Sequence, residues 1–195
     1  MNRLLNRDGE IHYREDFLEA GEAERRFRDL LAGLDWHDEC LRLAGRRVQV
    51  PRRVCWYGDA GAVYRYAGVV HEPQAWTDTL ADLRARVETA LGRPFNSVLG
   101  NLYRNGQDAM GWHADAEAEL GACPVIASLS LGAERRFEIR HRHTRERLRM
   151  ELAPGSLLVM SGPFQEHWQH RVPRQPALAA PRINLTFRLI IQTAR

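Results

Sequence analysis

The sequence predicts a mainly β protein of the α+β class, and three observations carry that prediction. From Phe95 to the C-terminus, short stretches of alternating apolar and polar residues follow one another closely. Turn-forming pairs separate them, among them Asn105-Gly106, Pro154-Gly155 and Gly162-Pro163. The clearest helical period lies ahead of this run rather than between its strands. That order disfavours a parallel βαβ sheet and favours a sandwich, barrel or jelly roll.

Taken in order, residues 10–18 look extended. Residues 19–34 read as a helix with Phe27, Leu30, Leu31 and Leu34 on one side. Gly45, Pro51, Gly58, Gly61 and Gly68 punctuate residues 42–70, which predicts short strands and loops. Trp76, Leu80, Leu83, Val87 and Leu91 then recur at helical spacing, with Gly92 and Pro94 as a stop signal. The strand candidates are 96–104, 124–131, 135–141, 147–152, 156–161, 167–172 and 182–191. No repeat, low-complexity stretch or linker interrupts them, so residues 1–195 are expected to form a single domain.

Composition excludes several classes. The chain is 44% apolar and 27% charged, and no stretch approaches membrane-spanning length. Its first residues lack the apolar run of a signal peptide. Cys40, Cys55 and Cys123 are odd in number and far apart, which argues against a disulfide framework or a zinc knuckle. A soluble protein of a reducing compartment is expected. The net charge is only +3, but it is unevenly spread and every basic side chain is arginine. Residues 8–39 hold eleven acids against four arginines. Residues 42–53 hold Arg42, Arg46, Arg47, Arg52 and Arg53 with no acid, and residues 135–149 hold seven arginines against Glu138 and Glu146. Such runs usually form a solvated face. Two of the same sign also suit a polyanionic partner.

The chemistry centres on Met110-Gly111-Trp112-His113-Ala114-Asp115-Ala116-Glu117. On an extended backbone His113 and Asp115 point the same way, because side chains alternate faces. With one more histidine they would make the two-His-one-carboxylate set that suits non-haem Fe(II). His141 and His143 sit among arginines, where a dication would meet only like charge. His12, His37 and His71 read as ordinary surface or packing residues. His167 and His170 remain, and residue chemistry does not choose between them. The stretch Arg182-Ile183-Asn184-Leu185-Thr186-Phe187-Arg188-Leu189 alternates strictly. Its polar face offers two guanidiniums, an amide and a hydroxyl, a good site for a small dicarboxylate. Beside an iron triad, that suggests 2-oxoglutarate.

These segments, with Asn101-Leu102-Tyr103, Ser130-Leu131-Gly132-Ala133 and His170-Arg171-Val172-Pro173, resemble the AlkB family of Fe(II)- and 2-oxoglutarate-dependent nucleic-acid dealkylation dioxygenases. They occur in the family's order over about residues 50–191. Tyr57-Gly58-Asp59 and Arg140-His141-Arg142 are closest to the branch that repairs DNA in plants and animals. The resemblance implies a double-stranded β-helix, or jelly roll, over residues 95–195, with N-terminal helices packed on one side and a substrate-recognition lid within residues 1–94. It implies Fe(II) held by His113, Asp115 and His170, and 2-oxoglutarate held by Asn101, Tyr103, Arg182, Asn184, Thr186 and Arg188. Arg188 would take the end nearer the metal. O2 is the other co-substrate. Tyr64 and Tyr66 would line a flipped-base pocket, and Glu117 would accept from the exocyclic amino group of the base. Arg140 and Arg142 would touch nucleic acid. Where duplex-preferring members carry an apolar wedge, this chain has Leu43-Ala44-Gly45, and Ala116 stands where close relatives often have an acid. The implied activity is oxidative demethylation of 1-methyladenine and 3-methylcytosine in single- or double-stranded DNA, by a cytoplasmic monomer, nucleoid-associated in a bacterium. The alternatives are the same chemistry on RNA or another substrate, and a catalytically silent β-helix that binds nucleic acid.

Overall fold

Strand β14 (Arg182–Arg188) lies antiparallel between β7 (Ser97–Tyr103) and β9 (Ile126–Gly132). Its alternation sets the layers. Ile183, Leu185 and Phe187 face a core shared with the helices, and Asn184, Thr186 and Arg188 face a cavity on the other side. The computed structural model describes residues 1–43, 46–66 and 69–191, and it excludes the side chains of residues 41–47 and 64–71.

Among the described residues the other elements are β1 (Asn2–Asn6), β2 (Glu10–Arg14), α1 (Ala20–Gly33), β3 (His37–Leu43), β4 (Arg46–Gly58), β5 (Tyr64–Tyr66), β6 (Val69–His71), α2 (Asp78–Leu91), β8 (Met110–His113), β10 (Arg135–His141), β11 (Arg147–Leu152), β12 (Leu157–Ser161), α3 (Phe164–His167) and β13 (Trp168–Val172). One sheet has eight strands in the order β1-β2-β12-β9-β14-β7-β4-β3, and a second has four, β11-β10-β13-β8. The two face each other as a jelly roll over a core that includes Ile11, Ile126, Phe137, Ile139, Leu158 and Trp168. On the opposite face of the larger sheet lie the two helices. Ala23, Phe27 and Leu30 of α1 and Leu80, Leu83 and Val87 of α2 bury against it. Each fully buried Leu or Val there contributes about 1.5–3 kcal/mol.

Helix α2 ends where the Gly92 stop signal predicts, and Thr77 caps its start. The Thr77 hydroxyl accepts from Leu80 N at 3.3 Å. Gly92 closes the helix at φ 62°, its N–H donating to Glu88 O at 2.8 Å.

Four details depart from the sequence reading. The first concerns residues 1–94, for which the sequence implies helices and a lid. They contribute β1, β2, β3 and β4, half the strands of the larger sheet, because β2 pairs with β12 and β4 with β7. Second, Arg46–Gly58 is one long strand rather than short pieces. Pro51 does not break it, because it falls at a bulge between Asp38↔Arg53 and Cys40↔Gln49, where no ladder hydrogen bond is required of it. Third, His167 ends the short helix α3, and the strand starts only at Trp168. Last, β14 stops at Arg188 rather than 191. At Gly58 a Cβ would come within 2.7 Å of Asn96 O, so the Tyr57-Gly58-Asp59 motif needs glycine for close strand approach. Among the described residues no helix is long and apolar enough to cross a membrane.

Candidate metal and dicarboxylate site

Strands β8 and β13 are antiparallel, and their register sets His113 opposite His170. The two imidazole centroids are 4.1 Å apart. Asp115 follows β8 by two residues and completes a group whose ligand atoms lie within 4.8 Å of one another. The bend that brings Asp115 back is held by Gln165 of α3, whose side-chain oxygen accepts from Asp115 N at 2.9 Å. On its other side Arg188 donates to Asp115 Oδ1 at 2.9 Å. His113 is oriented through Nδ1, 2.8 Å from Gly111 O. His167 is elsewhere, stacked parallel on His141 with ring centroids 6.0 Å apart. Register therefore selects His170, which residue chemistry had left open.

Electrostatics readies this group for a cation. Burial pushes His170 down to about 3, helped by the neighbouring His113. Burial also lowers His113. Both rings are therefore neutral at neutral pH, with lone pairs to offer. Burial alone would raise Asp115, but Arg188 and the two histidines outweigh it and hold the carboxyl down to about 2. Two neutral imidazoles and a carboxylate are the donor set of a divalent transition metal, and they leave coordination positions open.

These pKa values carry a stability prediction. Unfolded histidine takes up a proton near pH 6.5, whereas folded His170 does so only near pH 3. Below pH 6.5 the unfolded chain therefore binds more protons, and the metal-free protein loses stability as pH falls. The slope approaches about 1.4 kcal/mol per pH unit for each buried neutral histidine. Urea midpoints at pH 7.5, 6 and 5 should fall steadily, and His170→Phe should flatten the trend. A level wild-type curve would show that this ring is not buried in its neutral form.

The polar face of β14 supplies the second half of the site. Arg182 is fully buried, with Nη2 on Ser130 Oγ at 2.9 Å, while its Nε and Nη1 have no hydrogen-bond partner. Burial pushes it down to about 10. A buried guanidinium with two unspent N–H groups beside Tyr103 suits an incoming carboxylate. Asn184 already uses its amide, donating to Ser128 Oγ at 2.7 Å and accepting from Thr186 Oγ1 at 3.1 Å. Asn101 accepts from Arg52 Nε at 2.6 Å. The cavity that Asn101, Tyr103, Asn184, Thr186 and Arg188 line is walled further by Leu99, Phe137, Met160 and Val172. Glu117 also lines it, with Oε2 buried and unpartnered.

Two arginines of the basic runs do not lie on a solvated face. Arg52 is 4% exposed and lines the cavity. Arg135 is completely buried. The alternation of β10, with Phe137 and Ile139 on the same face, was the signal that could have placed Arg135 inside. Arg140 does not project from the β10–β11 tip. It lies on the outer face of the smaller sheet, donating to Gln169 and standing 4.4 Å from the Trp112 ring, which Arg171 also meets at 4.5 Å. Arg142 and Arg145 are the exposed pair at the tip. His37, taken as an ordinary surface residue, stands with Glu39 among the cavity-lining residues. The side chains of Tyr64, Tyr66, Arg42, Arg46 and Arg47 lie outside the described residues, as do Ala44 and Gly45 of the wedge position.

A triad of this kind beside a buried arginine face, inside a jelly roll, defines a metal- and dicarboxylate-dependent oxygenase site. A family model of the 2OG-Fe(II) oxygenase superfamily matches residues 10–188, and the chain belongs to that superfamily, within its AlkB family. It is 40% identical over 185 residues to the DNA oxidative demethylase ALKBH2 of Mus musculus, covering 89% of this chain and 77% of that protein. It is 39% identical over 189 residues to alpha-ketoglutarate-dependent dioxygenase alkB homolog 3 of Homo sapiens, covering 92% of this chain. The chain spans 65% of the length of that relative. In the solved structure of OsALKBH1 the fold recurs with a TM-score of 0.63 at 15% identity, over 91% of this chain and 97% of that one.

Proposed function

We propose that this chain is an Fe(II)- and 2-oxoglutarate-dependent dioxygenase that removes methyl groups from the ring nitrogens of 1-methyladenine and 3-methylcytosine in DNA. The observation that carries this reading is one cavity lined by the His113–Asp115–His170 group, the Arg188 end of the β14 polar face and the unpartnered Glu117 oxygen. The names of the ALKBH2 relatives, DNA oxidative demethylases, point to the same substrate class.

His113, Asp115 and His170 would hold the metal. Tyr103 and Arg182 would hold the distal carboxylate of 2-oxoglutarate, Arg188 the end nearer the metal, and Asn101, Asn184 and Thr186 the flank between. Bound Fe(II) with 2-oxoglutarate and O2 supplies the oxidising power to hydroxylate an N-methyl carbon, a product that loses formaldehyde as the co-substrate leaves as succinate and carbon dioxide. The chain's own residues position and shield. Arg188 keeps Asp115 ionised and fixes the oxygen it bonds. Leu99, Phe137, Met160 and Val172 exclude water around the reacting carbon. Glu117 accepts from the exocyclic amino group of a flipped base, with Tyr64 and Tyr66 packing on its ring. Arg140 and Arg142 meet phosphates, contacts that position a strand without reading its sequence. Residues 1–195 act as one catalytic unit, a monomer working in the cytoplasm, with residues 1–94 carrying the lid.

The test is anaerobic reconstitution with Fe(II) and 2-oxoglutarate, followed by oxygen and formaldehyde detection on methylated single- and double-stranded oligonucleotides. Stoichiometric formaldehyde and restored base are expected. Binding without formaldehyde would identify a silent nucleic-acid binder, and release only from methylated RNA would move the substrate class.

A further inference from the structure

Arg135 is a buried cation that neither the metal group nor the polar face of β14 explains. It is 0% exposed. Its guanidinium donates to Asp108 O at 2.8 Å, Pro173 O at 2.9 Å, Asn105 O at 3.2 Å and Gln175 Oε1 at 3.2 Å. None of these acceptors is a carboxylate, and the buried Asp108 carboxylate, which Arg104 also holds, attracts the guanidinium without bonding it. Burying a charge costs several kcal/mol unless something compensates, so a purely mechanical anchor would be cheaper without one. The loops concerned are in any case joined by their own backbone, through Gly106 N to Leu178 O at 2.7 Å and Gln175 N to Gly106 O at 2.8 Å.

The charge also has a neighbour that belongs to the site. Arg135 Cζ stands 5.3 Å from the Tyr103 ring centroid, and Arg182 Cζ stands at the same distance. Two buried guanidiniums thus share one phenol ring. Arg135 has little left to give a ligand directly, since its N–H groups are engaged by carbonyls. Arg182 keeps two unspent nitrogens. The geometry points to Arg135 as a positioning residue that determines co-substrate specificity. Through Tyr103, and by its charge, it makes the distal end of the site favour a 2-oxo dicarboxylate over a 2-oxo monocarboxylate. This rests on the 2-oxoglutarate reading above.

The experiment compares two probes, 2-oxoglutarate and 2-oxobutyrate, titrated calorimetrically into Mn(II)-loaded protein without oxygen. Arg135→Met should weaken 2-oxoglutarate on the order of 10- to 100-fold, the size of one charge interaction at ~6–10 Å in a medium of effective dielectric ~20. The same variant should leave 2-oxobutyrate within about twofold, because that acid has no distal carboxylate to feel the charge. Arg135→Lys, which keeps the charge but not the planar fork, should recover part of the discrimination. If Arg135→Met does not fold, Gln175→Leu, which frees one anchor of the guanidinium, must shift the same ratio of affinities. Equal weakening of both acids, or no change in either, overturns the proposal and leaves Arg135 a loop anchor. Wild-type protein binding both acids equally would remove the co-substrate reading itself, and this inference with it.

Discussion

His170→Ala should reduce iron-dependent turnover to background, while His167→Ala should leave most of it. The expected loss is well beyond 100-fold, because even the outer partners of metal ligands are worth about 10–100-fold. His170 stands across the ladder from His113 and within ligand distance of Asp115. His167 ends α3 and stacks on His141, so its removal costs local packing of the kind that changes stability by about 0.5 kcal/mol. The measurement is formaldehyde release at saturating Fe(II), with metal affinity read separately from Mn(II) binding. If the two variants exchange behaviour, the ligand assignment is wrong.

Removing either arginine of the β14 polar face should cripple co-substrate binding. Loss of one partner from a buried charge-assisted pair costs about 2–5 kcal/mol, or roughly 30- to several-thousand-fold in affinity. The two variants should differ in a second respect. Arg188→Ala also frees Asp115 Oδ1 and should weaken metal binding, whereas Arg182→Ala should not, since Arg182 bonds Ser130 instead. Arg182→Met, which fills a similar volume without a charge, should moreover leave the unliganded fold about as stable as wild type, because it removes a buried cation with two unspent donors. Unchanged 2-oxoglutarate affinity in both variants would mean that this polar face serves another ligand.

The sequence by itself determined what depends on local pattern. Alternation in Arg182–Arg188 specified a strand with an apolar and a polar face, and Arg135–His141 was legible as a second strand. The period from Trp76 to Leu91 specified α2 and its buried side, and Gly92 its end. The order of short motifs identified the family, and the resemblance implied which residues would form the metal and co-substrate groups; the His113, Asp115 and His170 of that set stand together in the structure. Tertiary structure decided whatever depends on which strands become neighbours. Strand β8 is only four residues long and carries no pattern of its own, so pairing with β13 alone sets His113 against His170. Gln165, far along the chain from Asp115, became its backbone anchor through the short helix α3. Arg52 and Arg135 looked like surface charge because a basic run reads alike whichever face it turns. Both are buried because carbonyl and amide acceptors from distant loops and strands converge on them, and the sequence of a single strand does not contain that convergence.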